Sequence, residues 1–376
     1  MQSRGTTPRI WTDTTDLVEL YNHRGPFITV HLPTPGNEEN AAQHNEAGWE
    51  SWRRDLAAAG ATEDALLNID DLIANAHEKA VSVYVIAGEK EVYHSSYWNT
   101  PLLRPFAELS ALPKLAPLLD LRQGVCSYIT VVADRTGADI TGVMMGNEVA
   151  AVDHAGGTDG PIRKVNAGGW SQLRYHHRAE DTWVDNAKDV VARLTDMVEK
   201  VHPRVVFVAG DVRAVEKIQR ALPTQLNYGA ALEVVDGSRG NDGGEAISEE
   251  AIQRCLAKLE MEDTLALNNK LAKELGEHDR AAVGAVGIIS ALQKTQVETL
   301  LVELGARDDR MVWVGPDAPH IAENREDVQA LGTSDVIQVP LIDGALRSAF
   351  LSDAKVRVVP RMEKDNQHLA AILRWA

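Results

Sequence analysis

Several features that would restrict the function of this chain are scarce or missing. It has 2 cysteines among 376 residues, no Cys-x-x-Cys pair, and no apolar run near the roughly 18 residues that cross a membrane. Its first residues also lack the apolar stretch of a signal peptide. We therefore expect a cytoplasmic protein in which Cys126 and Cys255 are reduced thiols of the core.

Nucleotide-binding and hydrolase signatures are missing as well. The chain has no Gly-x-Gly-x-x-Gly after a strand, no Walker A lysine and no Gly-x-Ser-x-Gly turn. His176-His177 before Glu180-Asp181 is similar to a metal cluster. Adjacent histidines point to different faces of a helix, however, so we favour a solvated helix face there. We expect neither a cofactor nor a metal.

Positive charge is in short supply overall. The chain has 55 acidic and 38 basic side chains and a formal net charge of -17. Each of the ranges 1–123, 124–252 and 253–376 is acidic. Because phosphate contacts need nearby Lys and Arg side chains, we expect any RNA contact to be concentrated in loops. The acidic remainder faces solvent or a basic protein.

One stretch departs from this balance, and we call residues 161–178 the cationic segment. It contains no acidic residue, and Gly168-Gly169 at its centre precedes a predicted long helix. Glycines permit a close backbone approach to phosphate, and Trp170 beside them favours docking or stacking. A flexible surface loop before a helix remains the alternative. The basic residues of the segment are Arg163, Lys164, Arg174 and Arg178.

The element pattern predicts an α/β protein of three domains, at 1–123, 124–252 and 253–376. In the first, we expect a short helix, an alternating strand over 27–32, two helices and a hairpin. A proline-punctuated connector over 101–121 follows and carries one short leucine-rich helix. In the middle domain, we expect a mixed β-sheet flanked by helices, with a loop over 155–169 leading into a helix over 171–201. The last domain is predicted to be an α/β sandwich, with helix or turn over 280–292 and four strands at 299–302, 311–314, 336–339 and 356–359.

These residues resemble the archaeo-eukaryotic class of peptide-chain release factors and Pelota. In that class Gly-Gly-Gln is followed by Ser-Ala-Leu-Arg-Phe, and here Gly168-Gly169-Trp170 is followed by Ser171-Gln172-Leu173-Arg174-Tyr175. The helix and strand at 16–33 and the glycine-rich stretch at 235–244 are also similar. Residues 253–376 resemble the family's terminal domain of the L7Ae ribosomal-protein type. The resemblance spans the whole chain.

Two departures from the family bear on function. Trp170 stands where release factors have the Gln that acts at the peptidyl-transferase centre, although Gln172 lies two residues later, as in related peptidyl-tRNA hydrolases. The stop-codon-reading tetrapeptide Asn-Ile-Lys-Ser is absent, and the corresponding region is 43–54. The decoding-centre candidates in this region are His44, Asn45, Trp49, Arg53 and Arg54. The spacing of Trp49 and Trp52 favours core packing or a partner surface over base stacking.

With these losses the chain resembles the Balon-type branch of ribosome hibernation factors, in its actinobacterial form. The resemblance implies a protein in the vacant A site of the 70S ribosome, with its first domain at the decoding centre of 16S rRNA. The loop from Gly168 through Ser171 to Gln172 would then reach the peptidyl-transferase centre, and Arg163, Lys164, Arg174 and Arg178 would hold phosphates of 23S rRNA. Elongation factor Tu and P-site tRNA are the further partners implied. Neither a membrane nor DNA is expected.

Two other functions remain open from the sequence. The first is a peptidyl-tRNA hydrolase or ribosome rescue factor in which Gln172 is catalytic. The second is an interaction module that binds a protein partner through its acidic surface. Release of peptide distinguishes the hydrolase from the hibernation factor, and salt-insensitive binding to a target other than the ribosome distinguishes the module.

Overall fold

The computed structural model describes thirteen stretches of the chain and two compact units. The described residues are 14–34, 39–75, 81–98, 104–124, 126–134, 137–144, 147–155, 188–222, 230–237, 247–277, 280–305, 308–362 and 368–376. One unit takes the described residues of 14–124 and 264–376, and the other takes those of 126–263. The division into three domains stays a prediction. The described helices include none long and apolar enough to cross a membrane.

The N-terminal part of the first unit is a four-stranded antiparallel sheet with helices against it. The sheet has the order β3-β2-β1-β4. Apolar residues of β1, such as Val30, pack with Leu66 and Ile69 of α3 because alternate strand residues share a face. The elements are α1 Thr15–Glu19, the 3-10 turn Leu20–Asn22, β1 Phe27–Pro33, α2 Glu39–Ala58, α3 Glu63–Ala74, β2 Ser82–Ala87, β3 Val92–Trp98, β4 Phe106–Ser110 and α4 Ala116–Gly124.

The predicted connector over 101–121 was partly wrong. Phe106–Ser110 is a strand, antiparallel to β1 with Phe27 opposite Ser110. Its five residues are too few for a clear alternating pattern, and the hydrogen-bonding edge of β1 decides its conformation. The predicted leucine-rich helix within the connector is α4.

Among its described residues, the C-terminal part of the same unit contains two sheets and three complete helices, together with the second half of a long helix. The sheets have the orders β10-β16-β11-β15 and β13-β12-β14. The four predicted strands are present, although the stretch 280–292, expected as helix or turn, begins with a strand. The elements after the long helix are β10 Ala281–Val283, α8 Gly284–Gln293, β11 Val297–Glu303, β12 Met311–Val314, β13 Ile321–Ala322, α9 Arg325–Ala330, β14 Ile337–Pro340, α10 Leu341–Leu351, β15 Lys355–Val359 and β16 Leu369–Leu373.

The second unit is built on a mixed sheet of order β7-β6-β5-β8-β9, as the sequence predicted. β5 pairs antiparallel with β6 and parallel with β8. Its elements are β5 Tyr128–Ala133, β6 Ala138–Met144, β7 Asn147–Ala155, helix α5 over 188–201, β8 Val205–Gly210, α6 Val212–Ala221, β9 Ala231–Val234 and the first half of helix α7 Glu249–Glu277.

Alternation along β8 places helices on both faces of this sheet. Val206 and Val208 pack with Leu194 of α5, whereas Phe207 packs with Ile252 of α7 on the other face. A strand covered on both faces reads as an unbroken apolar run, which is the pattern of Val205–Gly210. The mixed α/β class is therefore confirmed, and the L7Ae type of the terminal part stays a prediction.

Candidate nucleic-acid interface

The predicted decoding-centre residues lie on or beside the pair of helices α2 and α3. Gly60 has a φ of +105° in the turn between them, a conformation that favours glycine after a helix end. The Thr62 side chain accepts a hydrogen bond from the Ala65 backbone N–H and so caps α3. Its hydroxyl also donates to the Glu89 carbonyl oxygen in the β2–β3 turn. These contacts fix the turn of the helix pair against the hairpin.

Trp49 lies in the core and is 8% exposed. Its indole Nε1 donates to Asp70 Oδ1 at 2.7 Å, and its ring packs in the cluster that contains Leu56 and Ile69. An indole in this position is not a surface on which a base stacks. The sequence expectation of core packing for Trp49 is thus the one that the contacts support.

Arg53 is paired with two carboxylates of α3. Its Nε lies 3.0 Å from Asp70 Oδ2 and its terminal nitrogen 2.5 Å from Glu63 Oε1. Hydrogen bonds to Glu63, and then to Asp70, raise the pKa of the guanidinium above its usual range. The two carboxylates carry more negative charge than the guanidinium carries positive charge. The Arg53 side chain therefore attracts a phosphate only weakly.

Arg54 is the exposed cation of this helix face. Its Nε donates to the Glu50 carbonyl oxygen at 3.3 Å, one turn earlier in α2. The side chains of His44 and Asn45 lie outside the described residues. The decoding-centre assignment of these residues stays a prediction, and within it Arg54 is the exposed candidate for a phosphate contact.

The predicted peptidyl-transferase-centre loop and the whole cationic segment lie outside the described residues. This applies to Gly168, Gly169, Trp170, Ser171 and Gln172, and to Arg163, Lys164, Arg174 and Arg178. The structure does describe the elements on either side in sequence. β7 ends at Ala155, and helix α5 packs Leu194, Met197 and Val198 on the sheet. Two anchored elements therefore bracket the segment.

The cysteines offer no activated nucleophile. Cys126 and Cys255 are free and half-buried. Burial raises the pKa of both thiols above the usual range, so neither is poised as a thiolate at neutral pH. Among the described residues there is no group of three or more His, Cys, Asp or Glu side chains arranged to hold a metal ion.

Sequence reasoning missed a second polar site, which lies beside the β2–β3 turn. Arg24, Lys90 and Tyr93 line one cleft together with two glutamates. The available signal was weak, because it consisted of a His-Arg pair before a Gly-Pro turn and a lysine in a predicted hairpin. The pairing of β1 with β2, in which Ile28 lies opposite Ala87, brings Arg24 towards the β2–β3 turn.

The sequence of the second unit is similar to a family of release factors. Residues 127–277 match the model of the bacterial archaeo-eukaryotic release factor family 2. This match covers the mixed sheet and continues to the end of α7. The resemblance predicted from the sequence is thereby confirmed for residues 127–277 at the level of this family, and the Balon-type branch stays a prediction.

One relative and several solved structures match most of the chain. The Mycobacterium tuberculosis (strain H37Rv) protein Rv2629 is 25% identical over 369 residues, which cover 94% of each chain. Archaeoglobus fulgidus Pelota is 16% identical, with 78% of this chain and 80% of that chain covered and a TM-score of 0.33. An archaeal Pelota in a ribosome-bound model with ABCE1 is 13% identical, with 96% and 94% covered and a TM-score of 0.39.

Proposed function

We propose that this protein is a ribosome hibernation factor that occupies the vacant A site of the 70S ribosome. The observation that carries the proposal is the match of residues 127–277 to a release-factor family in a chain with Gly168-Gly169-Trp170. An indole has no amide to orient a water molecule, and it is bulky and apolar. Trp170 therefore suits filling the peptidyl-transferase centre better than hydrolysis there.

The cations at both ends of the proposed ribosome-binding surface suit contacts with rRNA phosphates. At the decoding centre, exposed Arg54 contacts 16S rRNA phosphate, while Trp49 and Arg53 hold α2 against α3. In the second unit, the cations of the cationic segment hold 23S rRNA phosphates. Phosphate contacts position a protein without reading sequence, which suits a factor that binds any idle ribosome. The protein acts in the cytoplasm, with P-site tRNA and elongation factor Tu as further partners and without a cofactor.

Sedimentation with ribosomes tests this function. The full-length protein is mixed with vacant 70S ribosomes from stationary cells and run through a sucrose gradient at low salt. We expect it in the 70S fraction, and we expect addition of an A-site tRNA to displace it. Protein that stays at the top of the gradient at low salt rules the proposal out.

A peptidyl-tRNA hydrolase is the second candidate, favoured by Gln172 two residues after the position of the family's Gln. A glutamine orients water through its amide rather than acting as a base, so the peptidyl-tRNA itself would share the proton transfer. Under this reading the protein releases peptide from ribosome-bound peptidyl-tRNA, and Gln172→Ala abolishes release. Trp170→Gln serves as the matched variant, since it restores the family's tripeptide. Ribosome binding without release by the parent protein leaves hibernation as the function.

A further inference from the structure

A cleft of about 360 Å³ lies in the N-terminal part of the first unit, and we call it the His23 cleft. Its size is at the lower end of the range for small-ligand sites. His23 contacts its wall through a ring stack with Tyr93. The other lining residues are Arg24, Gly25, Glu89, Lys90 and Glu91.

One lining residue of the cleft, Tyr93, belongs to an aromatic stack that has one exposed end. The rings of His23 and Tyr93 lie 3.9 Å apart and 19° from parallel. Tyr93 in turn meets the buried ring of Phe27 edge-on at 6.0 Å. Because Phe27 and Tyr93 hold the stack in place, the exposed imidazole of His23 is a positioned surface rather than a free side chain.

The turn that forms the other wall is held by hydrogen bonds to its backbone. The Asn68 side-chain amide donates to the Lys90 carbonyl oxygen at 3.0 Å, and the Gly88 N–H donates to the Glu91 carbonyl oxygen at 2.9 Å. Gly88 is required here, since a Cβ at this position would lie 2.7 Å from the Tyr93 ring. A cleft organised before binding loses less entropy when a ligand is bound.

Charges of both signs converge on the cleft. The Arg24 side chain is 94% exposed. Its 3.9 Å contact with exposed Asp335 is weak, so the guanidinium can still bind a phosphate. Lys90 is exposed at the turn between exposed Glu89 and Glu91. Cations suit a phosphodiester, whereas carboxylates repel phosphate and accept hydrogen bonds from the amino edge of a base. An aromatic surface, cations and carboxylates together fit a whole nucleotide better than a lone anion.

We propose that the His23 cleft binds one unpaired nucleotide of RNA. The base stacks on the His23 imidazole, its amino group donates to Glu89 or Glu91, and the flanking phosphates contact Arg24 and Lys90. Single-stranded RNA is recognised in this way, by stacking on aromatic rings combined with backbone cations. The proposal rests on the proposed function for the source of the RNA, which is the ribosome, while the chemistry of the cleft is independent of it.

A fluorescent RNA tests the cleft directly. The full-length protein is titrated into a single-stranded RNA hexamer with 2-aminopurine at its centre, since stacking quenches this base. We expect quenching by the parent protein, about tenfold weaker binding for His23→Ala, and near-parental binding for His23→Phe, which keeps a ring. Asn22→Ala, an exposed neighbour outside the cleft, is the matched control. No quenching by the parent, or equal affinity of the parent and His23→Ala, overturns the proposal.

The cations are tested separately through salt. The double variant Arg24→Glu with Lys90→Glu is expected to lower the slope of log affinity against log salt by about 1.4, because each lost contact on a single strand removes about 0.7. Lys273→Glu with Lys294→Glu makes the same charge change at exposed sites elsewhere and should leave the slope unchanged. Equal slopes for the two double variants contradict the phosphate contacts. Binding of a lysine-rich peptide that depends on His23, by a parent protein that does not quench the RNA, assigns the cleft to a protein instead, and this also overturns the proposal.

The same variants separate this proposal from the proposed function. Quenching that depends on His23, in a protein that fails to sediment with 70S ribosomes, supports the cleft and rules out hibernation. Sedimentation of the parent with no quenching supports hibernation and rules out the cleft. If both are correct, His23→Ala weakens sedimentation and His23→Phe restores it, with unchanged thermal unfolding in both variants.

Discussion

His31 is a buried histidine in the middle of β1, 5% exposed, with no charged partner among the residues that the structure describes. Its ring lies 5.1 Å from that of Tyr84 and 6.2 Å from that of Phe106, and its Nε2 is 3.4 Å from Ser82 Oγ. Burial lowers the pKa of this imidazole to about 4 because the charged form loses its hydration. The residue is thus neutral in the folded protein at pH values where it is charged in the unfolded chain.

We predict that His31 makes the first unit sensitive to acid. Between its unfolded pKa of about 6.5 and its folded value the unfolded chain binds more protons, so stability falls as pH falls, by up to about 3 kcal/mol. Urea unfolding of the parent and of His31→Gln at pH 7 and pH 4.5 measures this. The variant should lose less stability over the interval, and parallel losses would contradict the prediction.

Asp343 has the opposite dependence. Burial raises the pKa of its carboxyl group to about 6, although Lys114 Nζ lies 2.7 Å away and opposes the shift. The folded protein therefore holds the proton more tightly than the unfolded chain between about pH 4 and pH 6. In this interval the stability that Asp343 contributes falls as pH rises, by roughly 2–3 kcal/mol.

Asp343→Asn tests this dependence. Relative to the parent, we expect the variant to gain stability as pH rises from 4 to 6, whereas His31→Gln should lose relative stability over the same interval. Because both residues belong to the same compact unit, each variant is the control for the other. Changes of the same sign in the two variants would refute the assignment.

At the scale of elements, the end of helix α4 covers the edge of a sheet. β15 is an edge strand, and such edges expose unpaired N–H and C=O groups. The Gln123 side chain donates to the Val356 carbonyl oxygen at 2.8 Å and accepts from the Val358 N–H at 2.8 Å. One amide therefore takes the place of a neighbouring strand and joins the N-terminal part of the first unit to its C-terminal part.

We expect Gln123→Ala to destabilise this unit by about 2–4 kcal/mol, because two buried backbone groups lose their partners. Thermal or urea unfolding measures the loss. Gln329→Ala, on the exposed face of α9, is the matched control and should change stability by less than about 0.5 kcal/mol. A loss as small in Gln123→Ala as in the control would show that water replaces the amide.

The residue patterns of the sequence predicted most helices and strands. They missed those whose conformation depends on pairing with another part of the chain. The apolar run Val205–Gly210 and the helical spacing over 249–277 are unambiguous, and both elements are present. β4 was missed because its strand conformation comes from pairing with β1. The continuous burial of Phe27–Leu32 was also unexpected, since the alternating strand has Thr29 and His31 on a second covered face.

At the scale of the whole molecule, an acidic protein has to bind an anionic partner through few cations. We predict that Arg163→Glu with Lys164→Glu weakens 70S binding more than tenfold and lowers its salt slope by about 1.4–1.8, because two phosphate contacts are lost. Sedimentation at increasing salt measures both effects. The same charge change at Lys273 and Lys294 is the control, and equal weakening in the two double variants contradicts docking through the cationic segment.

Local patterns and residue identities alone establish the α/β class, the position of the mixed sheet and the release-factor resemblance around Gly168-Gly169-Trp170. These properties depend on residues that are close together in the sequence, so they can be recognised without the tertiary structure. Only folding decides which polar groups retain an available charge. Asp70 accepts a hydrogen bond from Trp49 and forms an ion pair with Arg53. Asp343 pairs with Lys114, which is 229 residues away in the sequence. Packing of distant elements creates these pairs, and it likewise brings His23, Lys90 and Tyr93 to one cleft.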